Sequence, residues 1–385
     1  MSHTNVRASV IAVRDELAGS LLERQVAIDA AILALLTNEH LLLLGPPGTA
    51  KSLLVRMLCE HIDSAVYYER LLTRFSTPEE LFGPLSLSAL EQDRFQRVTA
   101  GTLVEADIGF VDEIFKANSA ILNSLLTLIN ERLFHDGRQV RRVPLLSLFA
   151  ASNETPEEGG LHALYDRFLL RVTVPYLAED DSLRRLLEMT FPRPSATITL
   201  DQLRQAQTDV CQLPLGDDAR EAIVTIKREL DHEGLAVSDR RWRACGRLVR
   251  AKAWLEGEGT ATADHAEVLV HALWTEPSHI RVVERVVSKV ANPLNLEAVE
   301  LEDAAKDLYD QRPQPGHPNL THALEPLLRQ LSDIHTRLEQ RTASVPESRA
   351  RRARQAIHKI EAWHRALSQL ALRSLSKLHM APGAA

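Results

Sequence analysis

The sequence predicts an α/β fold in which helices cover both faces of a mostly parallel sheet. Apolar runs typical of buried strands lie at 41–44, 65–68, 108–111 and 144–151. Helical patterns lie between these runs, for example at 117–133. Alternating strands and helices are typical of a sheet whose two faces are both covered by helices, an α/β/α sandwich.

The chain is too long for one hydrophobic core, so we expect several domains. Strand patterns stop near Pro194, and amphipathic helical patterns follow. The segment 311–319 contains three prolines and a glycine, which is a linker composition. The predicted boundaries are 1–192 for the α/β core, 193–290 for a helical domain, 291–319 for a linker, and 320–385 for a hairpin of two long helices that turns near Ser344-Val345-Pro346.

The composition predicts a cytoplasmic protein without a membrane span. Hydrophobic residues make up 45% of the chain, charged residues make up 25%, and the net charge is −7. No uncharged apolar run approaches the roughly 20 residues of a membrane helix. Arg14-Asp15-Glu16 interrupts the amino-terminal segment too early for a signal peptide. The three cysteines are widely spaced, and the histidines form no metal-binding motif.

The octapeptide GPPGTAKS at 45–52 stands between a strand pattern and a helix pattern, where a phosphate-binding loop is expected. In such loops a lysine reaches the β- and γ-phosphates and a hydroxyl binds Mg²⁺, roles that Lys51 and Ser52 would fill. Ala50 occupies a position that is strictly glycine in the standard motif. A Gly-Pro turn between a strand and a helix is the alternative.

The segment IGFVDE at 108–113 is an apolar strand that ends in two adjacent carboxylates. Asp112 would hold Mg²⁺, and Glu113 would orient and deprotonate the attacking water. The alternative is a strand that merely leaves the core. No Asn-Lys-x-Asp segment for reading guanine occurs, so ATP is the expected nucleotide.

Together these stretches resemble the MoxR group of AAA+ ATPases, and most closely the branch called regulatory ATPase variant A. The resemblance extends from about Leu22 to about Arg250. It rests on GPPGTAKS, TRFSTPEELFGPLSLSAL, FVDEIFKANSAILNSLLTLINERLF, AASNETP, ALYDRFLLR and VSDRRWR. It implies an AAA+ core with an all-α lid, ATP and Mg²⁺ as cofactors, and a ring that is commonly a homo-hexamer.

The resemblance also implies roles for individual residues. Asn153 matches sensor 1, Arg167 matches an arginine finger that enters the neighbouring subunit's site, and Arg240 matches a sensor 2 that contacts phosphates in cis. Arg241 competes with Arg240 for that role, and Arg167 could instead pair with Asp166 within the chain. The implied nucleotide-binding residues are Leu22, Gly45, Pro46, Pro47, Gly48, Thr49, Ala50, Lys51, Ser52 and Leu53.

Two insertions in the module are predicted as β-hairpins. One lies between Gly83 and Gly101, and the other follows Arg132 with Asp136-Gly137 near its centre. In the family such hairpins line the pore side or the top of the ring and touch the substrate. They could equally be ordinary surface hairpins.

The resemblance implies a chaperone-like ATPase that remodels a protein client with a partner containing a von Willebrand factor A (VWA) domain. The helices at 324–378 leave no room for the β-rich domain that docks a lysine decarboxylase, so that partnership is not expected. A nucleic-acid-directed motor or loader is the alternative. Nucleic acid is not the expected partner, because the pI is about 6.1 and no helix-turn-helix is recognisable. A non-hydrolysing ATP-binding scaffold is a third, weaker alternative, since every catalytic position is filled.

Overall fold

A computed structural model of the chain describes residues 3–137, 139–155, 159–190, 194–314, 319–343, 345 and 347–379. The chain divides into two compact units. The first comprises Met1–Arg220 and Gly234–Ile280, and the second comprises Glu221–Glu233 and Arg281–Ala385. No helix in the described part of the chain is long and apolar enough to cross a membrane.

The described residues form strands and helices that we number in chain order. The strands are β1 (Leu41–Leu44), β2 (Ile62–Asp63), β3 (Tyr67–Leu71), β4 (Ile108–Asp112), β5 (Leu133–Asp136), β6 (Gln139–Arg142), β7 (Ser147–Ser152), β8 (Leu170–Thr173) and β9 (Ile198–Thr199). The first eight helices are α1 (His3–Ser20), α2 (Gln25–Thr37), α3 (Lys51–Glu60), α4 (Pro78–Phe82), α5 (Leu87–Leu90), α6 (Ser119–Glu131), α7 (Gly159–Tyr165) and α8 (Asp180–Glu188). The others are α9 (Leu200–Gln212), α10 (Asp217–His232), α11 (Asp239–Glu256), α12 (Val270–Leu273), α13 (Ile280–Ala291), α14 (Pro293–Asp310), α15 (Leu320–Thr342) and α16 (Glu347–His379).

Five parallel strands form the central sheet, in the order β3-β4-β7-β1-β8. The sheet confirms the predicted α/β class, and four of its strands overlap the predicted ones. All residues of β1 and β7 are buried, as expected for strands covered on both faces. Because the strands are parallel, the segments that follow β4, β7 and β1 emerge side by side at the carboxyl edge of the sheet.

The fifth strand, β8, was not predicted because Arg171 interrupts its apolar pattern. The structure buries this guanidinium completely, and its two terminal nitrogens donate to protein carbonyls, while its Nε has no partner among the described residues. Arg171 donates to the carbonyl oxygens of Trp274 at 2.5 Å and of Tyr165 at 2.9 Å, and it lies 3.9 Å from the centre of the Tyr165 ring. Burial lowers the pKa of Arg171 to about 9. These contacts join the sheet to the segment that follows α12.

The two insertions differ in structure. β5 and β6 form the predicted antiparallel hairpin, with Gly137 at φ +60° in its turn. The first insertion is not a hairpin ladder, since it has a single antiparallel bridge between Leu85 and Arg97 and contains the short helix α5. The Ser86 side chain accepts a hydrogen bond from the Ala89 N–H at 3.3 Å, which starts a helical turn where a strand was predicted.

The second unit contains a bundle of the long helices α14, α15 and α16. The predicted linker at 291–319 is therefore wrong for 293–310, which form α14. Leu294, Ala298, Leu301, Ala305 and Leu308 recur at helical spacing and pack into the core of this bundle. The linker prediction weighed only the proline cluster that follows α14. The predicted helices α15 and α16 are present, while the turn residues Ser344 and Pro346 lie outside the described residues.

Candidate nucleotide site

The loop after β1 has the backbone geometry of a phosphate-binding loop. Gly45 donates its N–H to the carbonyl oxygen of Ser152, at 3.0 Å, as the loop leaves the sheet between β7 and β8. A Cβ atom at Gly45 would lie only 2.2 Å from the carbonyl oxygen of Val174, so only glycine fits there. Gly48 has φ +77°, and the Thr49 hydroxyl donates to the carbonyl oxygen of Pro46 at 3.0 Å. The loop therefore turns back on itself before helix α3 begins.

Ala50 adopts the left-handed conformation that glycine takes in the standard motif, with φ 64° and ψ 27°. This conformation costs an L-residue about 1 kcal/mol or more. We expect Ala50→Gly to raise the free energy of unfolding by about 1 kcal/mol, measured by urea unfolding. Ala12→Gly is the matched control, because Ala12 is exposed within α1 and its loss should lower stability by about 1 kcal/mol. Equal losses in both variants would contradict the assigned conformation of Ala50.

The amino end of α3 is open to an anion. In the described part of the chain no side chain caps this helix, whose first main-chain bond runs from Leu54 N to the Ala50 carbonyl. The N–H groups of the first turn therefore lack intrahelical partners and face the loop side with the positive end of the helix dipole. Such an end favours bound phosphate.

Lys51 is folded onto the loop. Its ammonium group donates to the carbonyl oxygens of Gly45 and Pro46, at 2.8 Å each. Partial burial lowers the pKa of Lys51, and the negative charges of Asp112 and Glu113 oppose that shift. The cation is thus held beside the carboxyl ends of β1 and β4. The neutral loop carbonyls that it contacts form weaker hydrogen bonds with an ammonium group than charged phosphate oxygens would.

The two predicted carboxylates lie at the carboxyl end of β4, on the same edge of the sheet as the loop. Asp112 accepts a hydrogen bond from the Glu113 N–H at 3.0 Å. Glu113 has φ 52°, a left-handed conformation that is uncommon for a non-glycine residue. Its carboxylate forms an ion pair with Lys116 at 3.2 Å. Backbone strain of this kind concentrates at functional sites, where it aims a side chain.

Asn153 comes directly after β7, which lies between β4 and β1 in the sheet. The residue before it, Ser152, accepts the hydrogen bond from Gly45. Asn153 is exposed, and it follows the residue that contacts the start of the phosphate loop. The sheet thus brings together the loop, the carboxylates and the predicted sensor amide.

Arg24 is a residue of this site that we did not predict from the sequence. Its guanidinium donates to the carbonyl oxygens of Thr49 at 3.1 Å and Pro175 at 2.8 Å, which ties the segment after α1 to the phosphate loop. Leu22, the predicted adenine contact, lies two residues earlier and is buried. The dipeptide Glu23-Arg24 is plain in the sequence, but the role of Arg24 follows only from the distant carbonyl oxygens that its guanidinium contacts.

Arg167 and Arg240 lie at the opposite edge of the sheet from the loop. Arg167 lies three residues before the start of β8, at the amino end of the strands. A four-residue strand spans about 13 Å, which separates this edge from the loop after β1. The Arg240 guanidinium donates to Asp166, at 2.6 Å to its carbonyl oxygen and 2.8 Å to its carboxylate. In this structure Arg240 therefore lies beside Arg167 at the amino edge, and its contact with the phosphates of its own chain stays a prediction.

The structure also bears on the alternatives for these arginines. Asp166 pairs with Arg240, whereas the Arg167 Nε is buried without a hydrogen-bond partner among the described residues. Arg241 is 3% exposed and donates to the carbonyl oxygens of Leu169 and Ala272. Its contacts are those of a structural residue, while Arg240 remains accessible. These contacts favour Arg240 over Arg241 as a phosphate-binding residue.

Comparison with known proteins identifies the family. Residues 8–212 match the model of the MoxR domain in the MoxR-vWA-beta-propeller ternary systems, which is more than half of the chain. The chain belongs to the MoxR family of AAA+ ATPases. Residues 218–287 match the AAA lid domain. The predicted AAA+ fold, with a parallel sheet, a helical lid and a helical carboxyl-terminal part, is thereby confirmed.

Other proteins similar to this chain extend the comparison. Two uncharacterised proteins of Methanocaldococcus jannaschii are each 40% identical over 301 residues, which cover 78% of this chain and about 80% of theirs. The chaperone MoxR1 of Mycobacterium tuberculosis is 26% identical over 174 residues, 44% of this chain and 45% of its own. A solved structure from Cytophaga hutchinsonii, described as a candidate ATPase, covers 75% of this chain and 96% of its own, with a TM-score of 0.62 and 17% identity. That likeness concerns the fold.

Proposed function

We propose that this MoxR-type protein hydrolyses ATP at the loop after β1. The observation that carries the proposal is the carboxyl edge of the sheet, where an uncapped helix end and Lys51 stand beside Asp112 and Glu113. The residues fit a nucleotide and its metal: the helix N–H groups and Lys51 suit phosphate oxygens. Ser52 and Asp112 would supply two oxygen ligands to a Mg²⁺ ion, a cation that takes oxygen ligands from carboxylates and water. Magnesium held there would offset the negative charge of the phosphates.

Glu113 is the proposed general base. Its side chain would accept a proton from the attacking water while Asn153 orients that water from the neighbouring strand. In the structure the Glu113 carboxylate is paired with Lys116, so this half-buried ion pair must open or rearrange as water is activated. Arg24 would hold the loop by its contact with Thr49.

Arg167 is proposed to act on the nucleotide of a neighbouring protomer. Its position at the amino edge keeps it from the loop of its own chain, so a second copy in a ring, expected as a homo-hexamer, would have to present the phosphates. Hydrolysis would then depend on assembly and would move protomers relative to one another. We further propose a chaperone-like role on a protein client with a VWA-domain partner, as the name of the matching domain model suggests. The closer resemblance to regulatory ATPase variant A stays a prediction.

Removing the Lys51 ammonium tests the nucleotide site. We expect Lys51→Ala to weaken ATP binding roughly 10- to 100-fold, the effect of losing charge-assisted hydrogen bonds worth about 1.5–3 kcal/mol. Fluorescence titration with a labelled ATP analogue measures the affinity. Lys227→Ala is the control, because Lys227 is an exposed lysine on α10 whose only described ion pair is with Asp231. Unchanged affinity in Lys51→Ala would move the nucleotide site elsewhere.

Phosphate release by the wild-type protein tests the activity itself. Release that requires Mg²⁺ supports hydrolysis. A release rate per chain that rises with protein concentration supports hydrolysis in an assembly. A client and a VWA-domain partner would be sought by capture on the Glu113→Gln variant, which should hold ATP. Recovery of nucleic acid in place of protein, with salt-sensitive stimulation of hydrolysis, would instead support a nucleic-acid-directed motor.

A further inference from the structure

Arg24 is a buried cation beside the phosphate loop, and the acceptors described for its guanidinium are all main-chain carbonyl oxygens. The residue is only 6% exposed. Its Nε donates to Thr49 at 3.1 Å, and its two terminal nitrogens donate to Glu23 at 3.0 Å and to Pro175 at 2.8 Å. A guanidinium is a rigid planar fork of donors, so three such bonds hold it in one orientation.

The bond to Thr49 fixes the orientation of one peptide unit of the loop. The carbonyl of Thr49 and the N–H of Ala50 belong to the same peptide unit, which is trans. In a trans peptide the C=O and the N–H point in opposite directions. The Thr49 oxygen points to Arg24, so the Ala50 N–H points away from it, and no acceptor for this N–H lies among the described residues. Phosphate loops bind their anion with main-chain N–H groups of this kind.

The conformation of Ala50 makes this orientation costly unless something holds it. Ala50 has φ 64° and ψ 27°. For alanine the left-handed region is about 5- to 30-fold less populated than the right-handed one, whereas glycine populates both about equally. A turn of φ at Ala50 toward its favoured region would rotate the preceding peptide unit and carry the N–H away. The bond from Arg24 to the Thr49 carbonyl opposes that rotation.

Glu23 anchors the other side of this contact. Its carboxylate accepts hydrogen bonds from the N–H groups of Ala178 at 2.8 Å and Glu179 at 3.1 Å. These two residues closely follow Pro175, the second distant acceptor of Arg24. Glu23 also has φ 57°, which is uncommon for a non-glycine residue. The dipeptide thus sends one side chain to the phosphate loop and the other to the segment after β8, and Arg24 is held by contacts outside the loop.

We infer that Arg24 is a positioning residue for the nucleotide, which holds the peptide unit between Thr49 and Ala50 with its N–H turned toward the bound phosphate. It thereby compensates for the alanine at a position that is glycine in the standard motif. Arg24 acts through this peptide unit and does not itself touch the nucleotide. The inference rests on the proposed nucleotide site and adds to it a residue that decides how tightly ATP binds.

Arg24→Lys separates positioning from charge, because lysine keeps the cation but lacks the fork that spans Thr49 and Pro175. We expect Arg24→Lys to weaken ATP binding about 5- to 30-fold in titrations with a labelled ATP analogue. In the double variant Arg24→Lys/Ala50→Gly the loss is expected to shrink to about threefold or less, because glycine adopts the left-handed conformation without support. Wild-type affinity in Arg24→Lys, or a loss that Ala50→Gly leaves unchanged, overturns the inference.

Arg171→Lys is the matched control. Arg171 is also buried, and its terminal nitrogens also donate to main-chain carbonyls. This variant is expected to lower the midpoint of thermal unfolding and to keep the wild-type affinity for ATP, with or without Ala50→Gly. Thermal unfolding also verifies that each lysine variant is folded. A loss of ATP affinity in Arg171→Lys that Ala50→Gly reverses would overturn the inference, since the rescue would not depend on the contact with Thr49.

Ala50→Gly by itself tests the inference even if the lysine variants do not fold. With Arg24 present the peptide unit is already held, so this variant is expected to bind ATP within about twofold of wild type. Greater tightening overturns the inference, because it shows a loop that Arg24 does not hold. Binding and hydrolysis of ATP by the wild-type chain read the proposed function separately. A chain that hydrolyses ATP and is insensitive to Arg24→Lys refutes only the positioning role, whereas a chain that binds no ATP refutes both.

Discussion

Glu113→Gln is expected to reduce ATP hydrolysis by about 10²- to 10⁴-fold while ATP binding stays within a few-fold of wild type. Glutamine has the same size and can still hydrogen-bond water, but it cannot accept the proton. The residue lies at the carboxyl end of β4 next to Asp112, and loss of the base there leaves the phosphate contacts of the loop intact. Phosphate release and labelled-ATP titration measure the two effects separately.

Glu131→Gln is the matched control for that substitution. Glu131 is exposed at the end of α6, away from the carboxyl edge of the sheet, and its variant should hydrolyse ATP at the wild-type rate. Wild-type turnover by Glu113→Gln would remove the assignment of the base. Loss of both binding and turnover would indicate that Glu113 mainly supports the fold of the loop.

Arg167→Ala is expected to bind ATP normally and to lose about 10³- to 10⁵-fold in turnover, the range for arginine fingers. The physical reason is that its guanidinium meets the charge that spreads over the γ-phosphoryl group in the transition state. The Nε of Arg167 has no hydrogen-bond partner among the described residues, so the change to alanine removes few internal contacts. Arg185→Ala, an exposed arginine on α8, is the control that should retain activity.

Mixing two inactive variants tests whether Arg167 acts between protomers. Lys51→Ala has an intact arginine but a disabled loop, and Arg167→Ala has an intact loop but no arginine. If the arginine acts in trans, mixed assemblies regain part of the wild-type turnover, because one variant completes the site of the other. No recovery in assemblies shown by size to contain both variants would contradict the proposal, as would full turnover of Arg167→Ala at dilutions without assemblies.

The phosphate loop shows how far a local pattern can be trusted. Ala50 departs from the standard motif, yet its backbone takes the left-handed conformation that the motif requires. The backbone path follows from the buried strand before it, the helix after it and the close approach of Gly45 to Val174. A single methyl group costs about 1 kcal/mol there, too little to redirect a loop held at both ends.

Three other features were not predicted, and distant residues decide two of them, the strand β8 and the role of Arg24. Arg171 makes β8 look like a poor strand, and only the carbonyls of Tyr165 and Trp274 make its burial tolerable. The helix α14 was masked by the proline cluster beyond it, although its leucines and alanines pack into the second unit. The role of Arg24 depends on its contact with Thr49, 25 residues away.

Short sequence patterns predict the phosphate loop, the paired carboxylates and the α/β class, because each depends on residue types at short spacing along one strand and one helix. The positions of the arginines depend on long-range contacts. The parallel pairing of β8 with β1 places Arg167 at the amino edge, and the Asp166 contact brings Arg240 beside it. A guanidinium's neighbours are set by long-range strand pairing and by the charges around it, which spacing along the chain does not specify.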